Sequence, residues 1–133
     1  MIAFHLDQSS GVATYVQLVQ QVHQALQLGL LEPGDRLPTA QQVVASLAIN
    51  PNTVLKAYRD LEREGLVRPR PGLGTFVIAS LQRSDPTAQA KFRKSMTTWV
   101  RQARTAGLTA AEIEAIYRTV LRDCNADEAD VVA

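Results

Sequence analysis

At 133 residues, the chain suits one domain, or one small domain with a helical appendage. Its 46% hydrophobic residues supply a core and exclude a disordered chain, while a net charge of +1 leaves any basic footprint to local distribution. The lone Cys124 rules out an internal disulfide and a four-cysteine zinc site; no apolar run approaches the roughly 20 residues of a membrane span, and MIAFHLDQSS lacks the features of a signal peptide, so a soluble, cytoplasmic protein is expected.

Residues 3–7, partly alternating, suit a short strand. From Thr14 to about Leu28 the apolar positions Tyr15, Leu18, Val19, Val22, Ala25 and Leu26 form a helical stripe. Gly29 suits its C-terminal cap, and Pro33-Gly34 marks a turn. Thr39 and Gln42 have the spacing of a capping box, which predicts a short helix from about Ala40 to Leu47 with Val43, Val44 and Leu47 inward. Asn50 is a second N-cap, with Pro51 at the first helical position, where its missing N–H costs nothing. That helix puts Val54, Ala57, Tyr58 and Leu61 on one face and ends near Gly65.

Leu66 to Arg70, then Pro71-Gly72-Leu73-Gly74, then Thr75 to Ile78 reads as strand, glycine-rich turn, strand, with prolines confining the first strand to an edge or a short piece. Helix, short helix, turn, helix and hairpin make a helix-turn-helix followed by a β-wing. Residues 80–86 read as a linker. A helix from about Thr87 to Thr105 carries Phe92, Met96, Trp99, Val100 and Ala103 on one stripe, and Gly107 breaks it. Thr109 and Glu112 form another capping box; Ile113, Ile116, Tyr117, Val120, Leu121 and Cys124 follow at helical spacing. Residues 125–133 are acidic and small, and are expected to fray. The predicted fold is therefore mainly α with a small β-wing: a winged helix-turn-helix over 1–79, the linker, a two-helix tail over 87–124 and a flexible acidic C-terminus.

The first turn of the 50–65 helix offers Asn50, Asn52 and Thr53, with Lys56 one turn on. Amide side chains pair with an adenine edge, a threonine methyl meets a thymine methyl, and a lysine reaches a phosphate or a base. For Asn50 alone, a plain cap is an equal reading; the whole cluster in a helix-turn-helix favours DNA. Arg36 suits a phosphate or minor-groove contact, or else a surface ion pair with Asp35 or Glu32. Thr39 and Gln41 begin the short helix, where backbone N–H groups bind phosphate. Arg68 and Arg70 flank a wing turn containing Gly72; this hairpin either follows the DNA backbone into a minor groove or is a solvated tip.

Charge is unevenly spread. Residues 33–78 hold Arg36, Lys56, Arg59, Arg63, Arg68 and Arg70 against Asp35, Asp60, Glu62 and Glu64, a net of +2, with the acids late in the third helix. Residues 83–104 have a net of +5 and residues 105–133 a net of −4, read first as solvated helix faces. His5 and His23 are isolated, no nucleophile–base pair is present, and neither a metal site, a cofactor nor an enzymatic activity is expected.

Residues 13–79 resemble the winged-helix domain of the GntR family of bacterial transcriptional regulators. The residues that carry the resemblance are Pro33 to Thr39, Asn50-Pro51-Asn52-Thr53-Val54, Ala57-Tyr58, Leu61 to Leu66 and Gly72 to Val77. The NPNTV version with only a short helical tail is similar to the YtrA subfamily. The resemblance implies DNA contacts by Arg36, by Asn50, Asn52, Thr53 and Lys56, and by the wing around Arg70 and Gly72. It also implies a two-helix dimerisation tail and control of neighbouring transporter genes. Where many members place an arginine, this chain has Gln41, which leaves Arg36 more weight.

One two-helix hairpin cannot bury Phe92, Met96, Trp99, Ile113, Ile116, Tyr117, Val120 and Leu121 together. A symmetry mate can cover the open face, at roughly 1.5–3 kcal/mol for each fully buried large side chain. The expected partners are thus a double-stranded DNA operator and a second copy of the chain, with any small-molecule effector unidentified and no membrane. A winged-helix module that binds protein and not DNA is the alternative; it would leave the Asn50 to Lys56 tip without a groove to read.

Overall fold

The computed structural model describes residues 2–132, with side chains through residue 128. Helices α1 (Thr14–Gln27), α2 (Ala40–Leu47) and α3 (Pro51–Arg63) precede strands β1 (Val67–Arg70) and β2 (Gly74–Val77), and helices α4 (Pro86–Thr105) and α5 (Ala110–Val132) follow. The chain divides after Pro86 into two compact units.

The first unit is built on the stripes read from the sequence. Leu18, Val22 and Leu26 of α1 are fully buried with Val54 and Leu61 of α3, and Val67 and Val77 close the core from the sheet. Helices α2 and α3 begin, and α1 ends, where local chemistry dictates. The Thr39 hydroxyl accepts from the Gln42 N–H at 3.1 Å, and the Thr39 N–H donates to the Gln42 side chain at 2.9 Å. Asn50 Oδ1 accepts from the Asn52 N–H at 2.8 Å, with Pro51 at the first turn. α1 closes on Gly29 (φ +70°), whose neighbour Leu30 donates its N–H to the Ala25 carbonyl.

Three departures from the sequence reading are informative. Residues 3–7 do not form a strand. Their backbone bonds instead to side chains of α1: the His5 N–H donates to Gln21 Oε1 and the Asp7 N–H to Gln17 Oε1, both at 2.9 Å. An extended segment satisfied by glutamines needs no partner strand. Second, β2 has a neighbour on each side. Residues 34–37 pair along the edge not taken by β1: Leu37 N–H donates to Thr75 O, Val77 N–H to Asp35 O and Gly34 N–H to Val77 O. Third, the stretch expected as a linker is partly docked, since Leu81 packs on the core and Gln82 lies against Gly29.

The second unit is a helical pair. Its turn is closed by Gly107 (φ +96°), by the Leu108 N–H donating to the Ala103 carbonyl, and by the Thr109–Glu112 capping box. The hydrogen bonds to the Thr109 backbone and side chain hold the Glu112 carboxyl below its ordinary range. Ala103 and Ile113, beside this turn, are buried. α5 runs on past Cys124 to Val132. No glycine or proline follows Cys124, and Ala126, Glu128 and Ala129 are good helix formers. No described helix is long and apolar enough to cross a membrane.

Candidate nucleic-acid interface

α3 divides cleanly. Val54, Ala57, Tyr58 and Leu61 are buried and seat the helix against α1 and α2. The Tyr58 hydroxyl donates to the Pro38 carbonyl at 2.5 Å, tying the seat of α3 to the entrance of α2. Burial pushes the Tyr58 phenol well above its ordinary pKa, so the donor stays protonated. On the other face Asn52 and Lys56 are exposed and Thr53 is half-buried. Asn50 is also exposed, but its side-chain oxygen is engaged as the cap. The acidic end lies at the far terminus: Glu64 bonds His23 of α1 at 2.6 Å and Asp60 meets Arg63 at 3.4 Å.

The turn between α2 and α3 passes through Ala48 in the left-handed region, φ +54°. Thr39 is half-buried and Gln41 exposed at the start of α2. Asp35 does not pair with Arg36; its carboxylate accepts the Glu32 N–H at 2.9 Å. Arg36 is exposed and has no ion pair among the described residues.

The wing gathers the remaining cations. Phe76 of β2 pairs with Arg68 on β1 and with Arg36 on the other side. Residues directly opposite in an antiparallel pair point to the same face, so Arg36, Phe76 and Arg68 form one row. Arg70 pairs with Gly74 in the adjacent row, and its guanidinium lies 4.9 Å from the Phe76 ring centroid. Gly74 (φ +125°) leaves room for Arg36: a Cβ there would stand 3.3 Å from Arg36 Cδ. Arg36, Thr39, Arg70, Gly72 and Gly74 line a groove of about 580 Å³. Arg36, Arg68 and Arg70, read separately from the sequence, thus share one surface with an aromatic floor.

Sequence reasoning missed several members of this surface. Phe76 was read as strand and Tyr15 as core, yet they lie beneath Arg70 and Lys56 respectively, the latter with Nζ 3.9 Å from the ring centroid. Leu55 on α3 (40% exposed) and Leu73 at the wing tip (62%) are exposed apolar groups. Leu55 had a signal: it falls off the buried stripe. No group of three metal-ligating side chains occurs among the described residues.

In the second unit, Phe92, Met96, Trp99, Ile116, Tyr117, Val120 and Leu121 are all exposed. All but Phe92 join Cys124 in lining an apolar groove of about 380 Å³ between α4 and α5. Ile113 differs from the other expected interface residues: it is 8% exposed and already buried within its own unit.

Residues 14–77 match the sequence profile described as "Bacterial regulatory proteins, gntR family". The chain is 39% identical over 72 residues to the HTH-type transcriptional repressor YtrA of Bacillus subtilis, a match covering 54% of this chain and 55% of that protein. It is 36% identical over 107 residues to the HTH-type transcriptional regulator Rv1152 of Mycobacterium tuberculosis, covering 80% of this chain and 84% of that one. Among solved structures it is similar to YtrA from Sulfolobus acidocaldarius, a GntR-family transcription factor, with a TM-score of 0.52, 25% identity and 92% and 99% of the two chains covered.

Proposed function

Since the chain belongs to the GntR family of bacterial regulatory proteins, DNA-binding transcriptional regulators and not enzymes, we propose that it is a cytoplasmic repressor that binds a palindromic operator as a homodimer. The observation that carries this reading is the split of α3: one face seated in the core, the other presenting Asn52, Thr53 and Lys56. Entering the major groove, Asn52 pairs with an adenine edge, the Thr53 methyl meets a thymine methyl, and Lys56 reaches a phosphate or base. Asn50 starts the helix. Thr39 and Gln41 meet the phosphate backbone beside it, and Arg36, Arg68 and Arg70 follow the backbone toward the minor groove with Gly72 at the tip.

The tail over 87–124 supplies the second copy. Seven large apolar side chains, Phe92, Met96, Trp99, Ile116, Tyr117, Val120 and Leu121, stand exposed there. So extensive an apolar surface marks an interaction site, and a two-fold mate covers it while presenting a second α3 to the next half-site, about one helical turn away or a multiple of it. The similarity to a protein named a repressor supports that direction of control; the subfamily resemblance points to a transporter operon as target.

The experiment is selection of a duplex from a randomised library, then titration by fluorescence anisotropy. Enrichment of an inverted repeat is expected. Asn52→Ala combined with Lys56→Ala should weaken binding by about 10- to 100-fold, the order of one or two lost base contacts. Absence of any sequence-preferring binding up to micromolar protein overturns the reading and favours a protein-binding module.

A further inference from the structure

Lys56 carries the only cation in the N-terminal half of α3, and it does not project freely. Its Nζ lies 3.9 Å from the centroid of the Tyr15 ring, well inside the roughly 6 Å over which an ammonium is attracted to an aromatic face. Tyr15 belongs to the first turn of α1, is half-buried, and packs on the core of the first unit. Because α1 also packs directly on α3, the ring is fixed relative to the recognition helix.

The choice of an aromatic partner matters. A carboxylate at this place would orient the lysine but cancel its charge. A ring orients it and leaves the positive charge intact for a phosphate or a base edge. The carboxylates of α3 all lie in its second half, where Asp60 meets Arg63 and Glu64 meets His23. A free lysine stem has many rotamers to lose on binding, so holding it beforehand lowers that cost. The wing repeats the device, with the Arg70 guanidinium over the Phe76 ring.

We propose that Tyr15 is a positioning residue for DNA recognition, its ring acting as a shelf that aims Lys56 at the operator. This rests on the DNA-reading assignment above. The ring does its work through Lys56, so its contribution disappears when the ammonium is removed.

The test is a double-mutant cycle of Tyr15→Leu and Lys56→Met, titrated against the selected inverted-repeat duplex and against a scrambled duplex. Tyr15→Leu is expected to weaken operator binding about threefold per half-site, about tenfold for a two-half-site operator. Tyr15→Phe, which keeps the ring, stays within about twofold of wild type. In the Lys56→Met background, Tyr15→Leu has no further effect. Binding to the scrambled duplex changes less, because a wandering lysine still meets phosphates. A ring-current shift of the Lys56 side-chain protons in the free wild-type protein reports the stack directly, and does not depend on any variant folding. Additive effects in the cycle, Tyr15→Phe as damaging as Tyr15→Leu, or the absence of that shift each overturn the proposal while leaving the DNA-binding function standing. Failure of the wild-type protein to prefer any duplex overturns both.

Discussion

The residues that set the geometry of α3 are few. Ala48 holds the turn between α2 and α3 at φ +54°, donating its N–H to the Val44 carbonyl at 2.8 Å. Glycine adopts that conformation without a Cβ penalty, and alanine does not. Ala48→Gly is therefore expected to raise stability by up to about 1 kcal/mol, read by urea denaturation, with operator affinity unchanged. A loss of stability would show that the turn is not strained. Tyr58 fixes the opposite end of α2, its entrance, through the bond to Pro38. Its burial was readable from the stripe on α3. Its partner was not, because a contact between residues 20 apart leaves no trace in local spacing. The same holds for Tyr15, whose stripe position announced burial but not the lysine above its ring.

At the scale of elements, capping chemistry was the most readable feature. Thr39 with Gln42 and Thr109 with Glu112 start helices where their side chains satisfy free N–H groups, as Asn50 does ahead of Pro51. What could not be read was pairing that depends on distant partners. Pro33 to Pro38 looks like a loop, yet residues 34–37 pair with β2 and bring Arg36 into line with Phe76. Residues 3–7 look like a strand but are served by two glutamines. α5 continues past Cys124, where the sequence holds no glycine or proline to break it. The wing's arginine row carries its own consequence. If Arg70 neutralises a phosphate, Arg70→Ala lowers the slope of log affinity against log salt by about one per half-site, and weakens operator and scrambled duplexes alike. An unchanged slope would place Arg70 away from the backbone.

At the scale of the whole molecule, the two units contrast. The first has a closed core of fully buried leucines and valines and exposes a polar, cationic surface. The second does the reverse, burying Ala103 and Ile113 beside its turn while leaving an apolar groove open between α4 and α5. The stripes of Phe92, Met96 and Trp99 and of Ile116, Tyr117, Val120 and Leu121 were readable as periodicity; that Ile113 belongs to the turn became plain only once the hairpin was formed. On the proposed reading a single α3 meets one half-site, so tight operator binding would depend on the tail bringing two copies together. The decisive measurement is sedimentation velocity of the wild-type chain and of Ile116→Asp, each alone and with the labelled inverted-repeat duplex. The wild type should sediment as a dimer and bind two chains to one duplex. Ile116→Asp, which places a charge in the apolar groove, should sediment as a monomer and bind the duplex only weakly. An Ile116→Asp chain that remains dimeric, or a monomer that holds the operator as tightly as the wild type, would contradict dimeric recognition through this tail.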